Sequence, residues 1–94
     1  MSYAEIVQAD RRLMILRALA VTSGYGANRT LIQRFLDSEG HIVSRDLVDA
    51  DIAWLAEIGL VTLHDDAVLL TARGGDVAAG RTSVPGVRRP QPGE

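Results

Sequence analysis

The sequence predicts a mainly α fold with a small antiparallel β-hairpin, in the order α-α-α-β-β-α, followed by a C-terminal arm. Three observations predict it. Apolar residues recur at helical spacing in three successive segments. Each segment is closed by a glycine: Gly24, Gly40 and Gly59. After Gly59 the period changes to alternation, in two short runs that flank Asp65-Asp66. Ninety-four residues, 47% of them apolar and 23% charged, suffice for one core and leave no room for a second.

The first helix is expected over Tyr3–Val21. Ser2 followed by Glu5 is a capping box, in which the serine oxygen accepts an orphan N–H and the glutamate reaches back. Ile6, Ala9, Leu13, Leu16 and Ala20 form one stripe, but Met14, Ile15, Ala18 and Val21 lie off it. A helix apolar nearly all round is either central in the fold or half-buried in a dimer. Leu13, Met14, Ile15 and Ala18 are therefore the candidate apolar dimer face, and Arg81, with Arg88 and Arg89, is expected to meet the acidic third helix or hairpin tip of the other copy. Asn28 caps a second helix to about Ser38, with Leu31/Phe35 and Ile32/Leu36 as apolar pairs. His41-Ile42-Val43 is a link, and Ser44 caps a third helix, 44–58, with Asp46 in its favourable first turn. Val48, Ile52 and Leu55 form its buried stripe, with Trp54 beside it as core or interface.

Leu60–His64 and Ala67–Thr71 are the expected strands. A two-residue turn pairs Val61 with Leu70 and Leu63 with Val68 on one face. Asp-Asp suits a primed turn poorly, which leaves a longer loop open. Ala72–Arg81 is a last helix, weakened by Gly74 and Gly75 by roughly 1 kcal/mol each relative to alanine. Three prolines and two glycines from Pro85 to Glu94 forbid helix or central strand. The chain thus divides into a domain, 1–82, and an arm, 83–94, either disordered or laid onto a surface.

Composition removes several function classes. With no cysteine there is no disulfide, thiolate catalysis or cysteine-held zinc or iron–sulfur centre, and two histidines do not make a histidine-rich site. We expect no metal and no cofactor. The longest apolar run is five residues, Ile52–Ala56, far short of the roughly 20 a membrane helix needs. Glu5 and Asp10 stand where a secretory signal is basic and then apolar, so a cytoplasmic location is expected. No enzyme is expected: Ser44 and Asp46 are explained by capping, His41 is a loop residue, and no glycine-rich phosphate loop follows a strand.

All ten basic residues are arginine. Residues 1–29 carry +2, residues 30–72 carry −6 and residues 73–93 carry +3; Glu94 brings the chain to −2. An acidic middle between basic ends suits contacts between copies as well as a polyanion.

Three helices, the second and third joined by a short link, followed by a hairpin, is the winged helix-turn-helix plan. Asp51-Ile-Ala-Trp-Leu-Ala-Glu-Ile-Gly-Leu-Val61 resembles that family's third helix running into the wing, and Leu70-Thr-Ala-Arg-Gly74 resembles its exit. Those residues, with Arg11-Arg-Leu-Met-Ile-Leu16, Val43-Ser-Arg-Asp46, Asp76-Val-Ala-Ala-Gly-Arg81 and Val84-Pro-Gly-Val87, are similar to small proteins of Mu-like phages and prophages. Those proteins are usually labelled winged-helix regulators of the ArsR or MarR type. The resemblance implies a dimeric, phage- or prophage-type regulator that binds double-stranded DNA, with 44–58 as recognition helix.

Under that reading Ser44, Arg45 and Asp49 meet the bases, and Arg29, Arg73, Arg88 and Arg89 hold phosphates. Residues 44–58 nevertheless carry −3, and the wing tip is Asp65-Asp66, both against phosphate attraction. The same acids fit a plain solvated helix face. They also fit the alternative function, a protein–protein assembly module that does not bind DNA.

Overall fold

The computed structural model describes residues 1–94. Helix α1 spans Tyr3–Ala20, β1 Gly26–Asn28, α2 Arg29–Ser38, α3 Arg45–Glu57, β2 Val61–His64, β3 Ala67–Leu70 and α4 Ala72–Ala78. The expected order is present with one addition. Strand β1 pairs antiparallel with β3, Ala27 opposite Val68, so the hairpin is part of a three-stranded sheet of order β1-β3-β2. Three residues are too few to display alternation, and that strand exists because β3 offers it a partner. The arrangement is consistent with a winged-helix-like fold.

The caps stand as expected. Glu5 N–H donates to Ser2 Oγ at 3.1 Å and Ser2 N–H to Glu5 Oε1 at 3.3 Å. Asn28 accepts from Leu31 N–H and Ser44 from Leu47 N–H. Gly40 and Gly59 take φ of +88° and +81° just beyond α2 and α3. Helix α1 differs: it ends at Ala20, and Gly24 falls in a separate 3-10 turn, Ser23–Tyr25.

The register Val61↔Leu70 and Leu63↔Val68 is observed, and the turn is two residues long, so no longer loop is needed. Asp65 takes φ +53°, a conformation aspartate tolerates better than most residues. Val61 and Val68 are buried, while Leu63, out at the hairpin tip, is 42% exposed.

Helix α1 runs through the centre of the fold. Leu13, Ile15, Leu16 and Leu19 are fully buried against Ile32 and Leu36 of α2, Val48, Ile52 and Leu55 of α3, and Val68 of β3. That corrects the dimer face: Leu13, Met14 and Ile15 are 0 to 6% exposed within one chain and so give a partner no surface, and Ala18, 4% exposed, only lines the floor of an apolar cavity. The all-round apolar character of α1 reflects neighbours on every side.

Gly74 is buried where α4 leaves the sheet. A Cβ there would stand 2.0 Å from the Leu60 carbonyl oxygen. The close approach of two backbones, rather than helix propensity, explains this glycine.

The arm lies on the protein surface. Val87 is buried in the core cluster, Val84 packs against it, and Arg88 N–H donates to the Ala9 carbonyl at 3.1 Å.

Candidate functional site

The first turn of α3 stands beside the first turn of α2. Arg45 is exposed, and its guanidinium donates to Gln33 Oε1 at 2.7 Å and Thr30 Oγ1 at 3.1 Å. Gln33 in turn donates to the Val43 carbonyl at 3.1 Å, tying the link to α2. Arg45 thus bridges two helix N-termini, each with a positive dipole end. A polar cleft of about 300 Å³ lies there, lined by Asn28, Arg29, Thr30, Arg45 and Asp66 of the hairpin tip.

The charges in this corner are mixed. Arg29 Nε lies 3.1 Å from Asp49 Oδ1, out of line for a hydrogen bond. Asp46 and Asp66 are exposed without a cationic partner. Of the residues the sequence nominated for DNA, the structure brings Ser44, Arg45, Asp49 and Arg29 together.

The other nominees are elsewhere. Arg73 starts α4 and donates to the Ile58 carbonyl, at the far end of α3; thirteen residues at 1.5 Å each put it about 20 Å from Arg45. Arg89 is exposed and donates to the Gly80 carbonyl. Arg81 pairs with Asp76 at 2.8 Å on the surface.

Arg88 is enclosed in a clasp. It pairs with Asp10 at 2.6 Å and with Glu94 near the chain end, and Glu94 also pairs with Arg17 at 2.9 Å. Asp10 bonds His41 Nε2 at 2.6 Å, joining the link, α1 and the arm. Burial raises the Asp10 pKa, but hydrogen bonds from His41 and Arg88 outweigh it, and the net shift is downward. The Arg88 hydrogen bond, with help from the Gln91 backbone, brings Glu94 down from 4.5 to about 2. The same carboxylates hold the Arg88 proton more firmly than usual, the Glu94 bond first. As a phosphate holder, Arg88 would have to give up both partners.

Sequence reasoning missed three buried polar groups. Asp51 is 1% exposed and bonds Arg11, itself 4% exposed, and Arg12 at 3.1 Å. Arg12 also lies over Trp54, 3.8 Å from the ring centroid, and donates to the Gly86 carbonyl. His41 is 8% exposed. The available signal was position: Asp51 adjoins the Val48–Ile52–Leu55 stripe, and Arg11 falls between Ala9 and Leu13.

No helix is long and apolar enough to cross a membrane. No family model matches the chain, and no solved structure does. A Haemophilus influenzae protein, described as uncharacterized, is 46% identical over 64 residues, covering 68% of this chain and 62% of that protein. The uncharacterized protein gp26 of Escherichia phage Mu is 49% identical over 92 residues, 94% of this chain and 95% of gp26. At that identity and coverage, the chain belongs to the family of the phage Mu protein gp26.

Proposed function

We propose that the chain is a winged helix-turn-helix that binds double-stranded DNA as a phage-type regulator, using the corner where α2, α3 and the hairpin tip meet. One observation carries this reading. Arg45, at the first turn of α3, is exposed and braced by Gln33 and Thr30 beside Arg29 and two helix N-termini. A braced guanidinium loses little freedom on meeting a guanine edge or a phosphate, and helix N-termini favour anions. Ser44 and Asp49 flank Arg45, and Asp49 can accept from cytosine N4. Self-association belongs to the same proposal, since two copies read two half-sites.

A second reading has its own support. Asp10, Asp49, Asp51, Asp76 and Glu94 have ionic partners, which leaves the other seven of twelve carboxylates unpaired. Among the ten arginines, four are unpaired: Arg34, Arg45, Arg73 and Arg89. A surface with that balance favours a basic protein partner over a phosphate backbone, and a protein–protein assembly module without DNA contact is the alternative.

Titration of labelled duplex DNA by anisotropy at roughly 50 and 200 mM salt separates the two. Under the DNA reading, binding weakens with salt. Arg45→Ala then costs about 1–3 kcal/mol, five- to 150-fold in Kd. Absence of binding at the lower salt selects the assembly reading.

A further inference from the structure

Two cavities open on the side of the molecule formed by the C-terminal end of α1. The first, about 280 Å³, is lined almost wholly by carbon, with Val21, Ala27, Leu31 and Phe35 around it and Arg34 at its rim. The second, about 290 Å³, shares Val21 and carries Tyr25 and Leu70 between Arg17 and Arg81. Val21, Tyr25 and Leu31 are 77, 60 and 50% exposed. Of the three arginines on this face, Arg17 is paired with Glu94 and Arg81 with Asp76, so Arg34 is its free cation. Arg34 has no ionic partner.

The complement is elsewhere on the same chain. Ile42, in the link after α2, is 83% exposed. Asp37 and Glu39 precede it in sequence, both exposed and both without a cationic partner, while Arg45 and Asp46 beyond it offset one another. An apolar knob beside Asp37 and Glu39 matches an apolar groove with the free Arg34 at its rim, in both shape class and sign.

We propose that the groove at the end of α1 receives the Ile42 knob of a second copy, so that the chain self-associates head to tail. Ile42 enters between Leu31 and Val21 of the neighbour, and Glu39 with Asp37 meets Arg34. A contact pairing two different patches is heterologous and leaves each copy with one free groove and one free knob. A groove-to-groove dimer would instead leave the free Arg34 of each copy without a carboxylate partner. The inference goes beyond the proposed function, because a head-to-tail contact does not build a two-fold dimer on two half-sites, and it is independent of whether DNA is bound.

The test uses two variants of the full chain. Leu31→Glu with Arg34→Glu disables the groove; Glu39→Lys with Ile42→Lys disables the knob. All four side chains are exposed or half-exposed, and circular dichroism checks that both variants keep the helical fold. By sedimentation velocity the wild type is expected to gain mass with concentration, and each variant alone to run as a monomer. Mixed together, the two are expected to form a 1:1 heterodimer and stop there, because only one groove and one knob survive. Arg45→Ala should leave wild-type association unchanged, which separates this surface from the DNA corner. A wild type that stays monomeric to roughly millimolar concentration overturns the inference. So does an equimolar mixture with no heterodimer, or a variant that associates as the wild type does.

Discussion

Gly74 and Gly75 are adjacent in sequence and alike in composition, yet they do different work. A Cβ on Gly74 meets the Leu60 carbonyl oxygen at 2.0 Å, whereas one on Gly75 meets nothing closer than 3.8 Å. Gly74→Ala is therefore expected to destabilise the protein by about 3 kcal/mol, since backbone on backbone has no rotamer in which to yield. Gly75→Ala is expected to stabilise it by about 0.5–1 kcal/mol through helix propensity. Urea midpoints of the two variants, moving in opposite directions, check this. Asp51 is a second case. Arg11 and Asp51 are both nearly inaccessible, so Asp51→Ala strands a buried guanidinium and is expected to cost about 3–5 kcal/mol. A loss below 1 kcal/mol in the same denaturation assay would show that Arg11 escapes to water. Neither effect was legible in the sequence, because each depends on an atom 14 or 40 positions away.

At the scale of elements, caps and register were read directly from local chemistry. Ser2, Asn28 and Ser44 cap as expected because capping involves only neighbours three residues apart. The hairpin register followed from alternation and a two-residue turn. The arm was not decidable in this way: proline excludes helix, but not docking. Its docking rests on Val87 in the core and on the Arg88 clasp with Asp10 and Glu94. Ending the chain at Thr82 removes Val87, whose burial alone is worth about 2 kcal/mol, and the melting temperature is expected to fall accordingly. The clasp also has a pH signature. Both carboxylates have depressed pKa values in the folded protein, so their contribution is present above the ordinary carboxylate range and lost as pH falls through the folded values. For Glu94 that window runs from 4.5 down to about 2. Trp54 fluorescence reports it, because Arg12, bonded to Gly86 of the arm, covers the ring. The emission shift is expected within that window in the full chain and absent in the truncated one.

For the whole molecule the deciding quantity is the distribution of charge. The positive ends of the sequence do not form one basic face. Arg11, Arg12, Arg17 and Arg88 are paired with carboxylates on α1, α3 and the arm, while Arg29 and Arg45 share their corner with Asp46, Asp49 and Asp66. The DNA reading therefore predicts a shallow salt dependence, near two released counterions, from Arg29 and Arg45 alone. Replacing Asp65 and Asp66 with lysine should tighten binding and steepen the slope of log K against log salt by about 1–2. An unchanged slope places the hairpin tip away from any phosphate.

The sequence by itself determined where the helices and the hairpin begin, end and pair, because those choices are made by groups within a few residues of one another. It also established the alternation of charge along the chain and the family likeness to small phage proteins. Only the tertiary structure decided that α1 is enclosed by its own chain, that β1 exists, that the arm is docked, and which arginines remain free. Each of those depends on what lies opposite in space, and burial and ion pairing act between neighbours that the order of residues does not reveal.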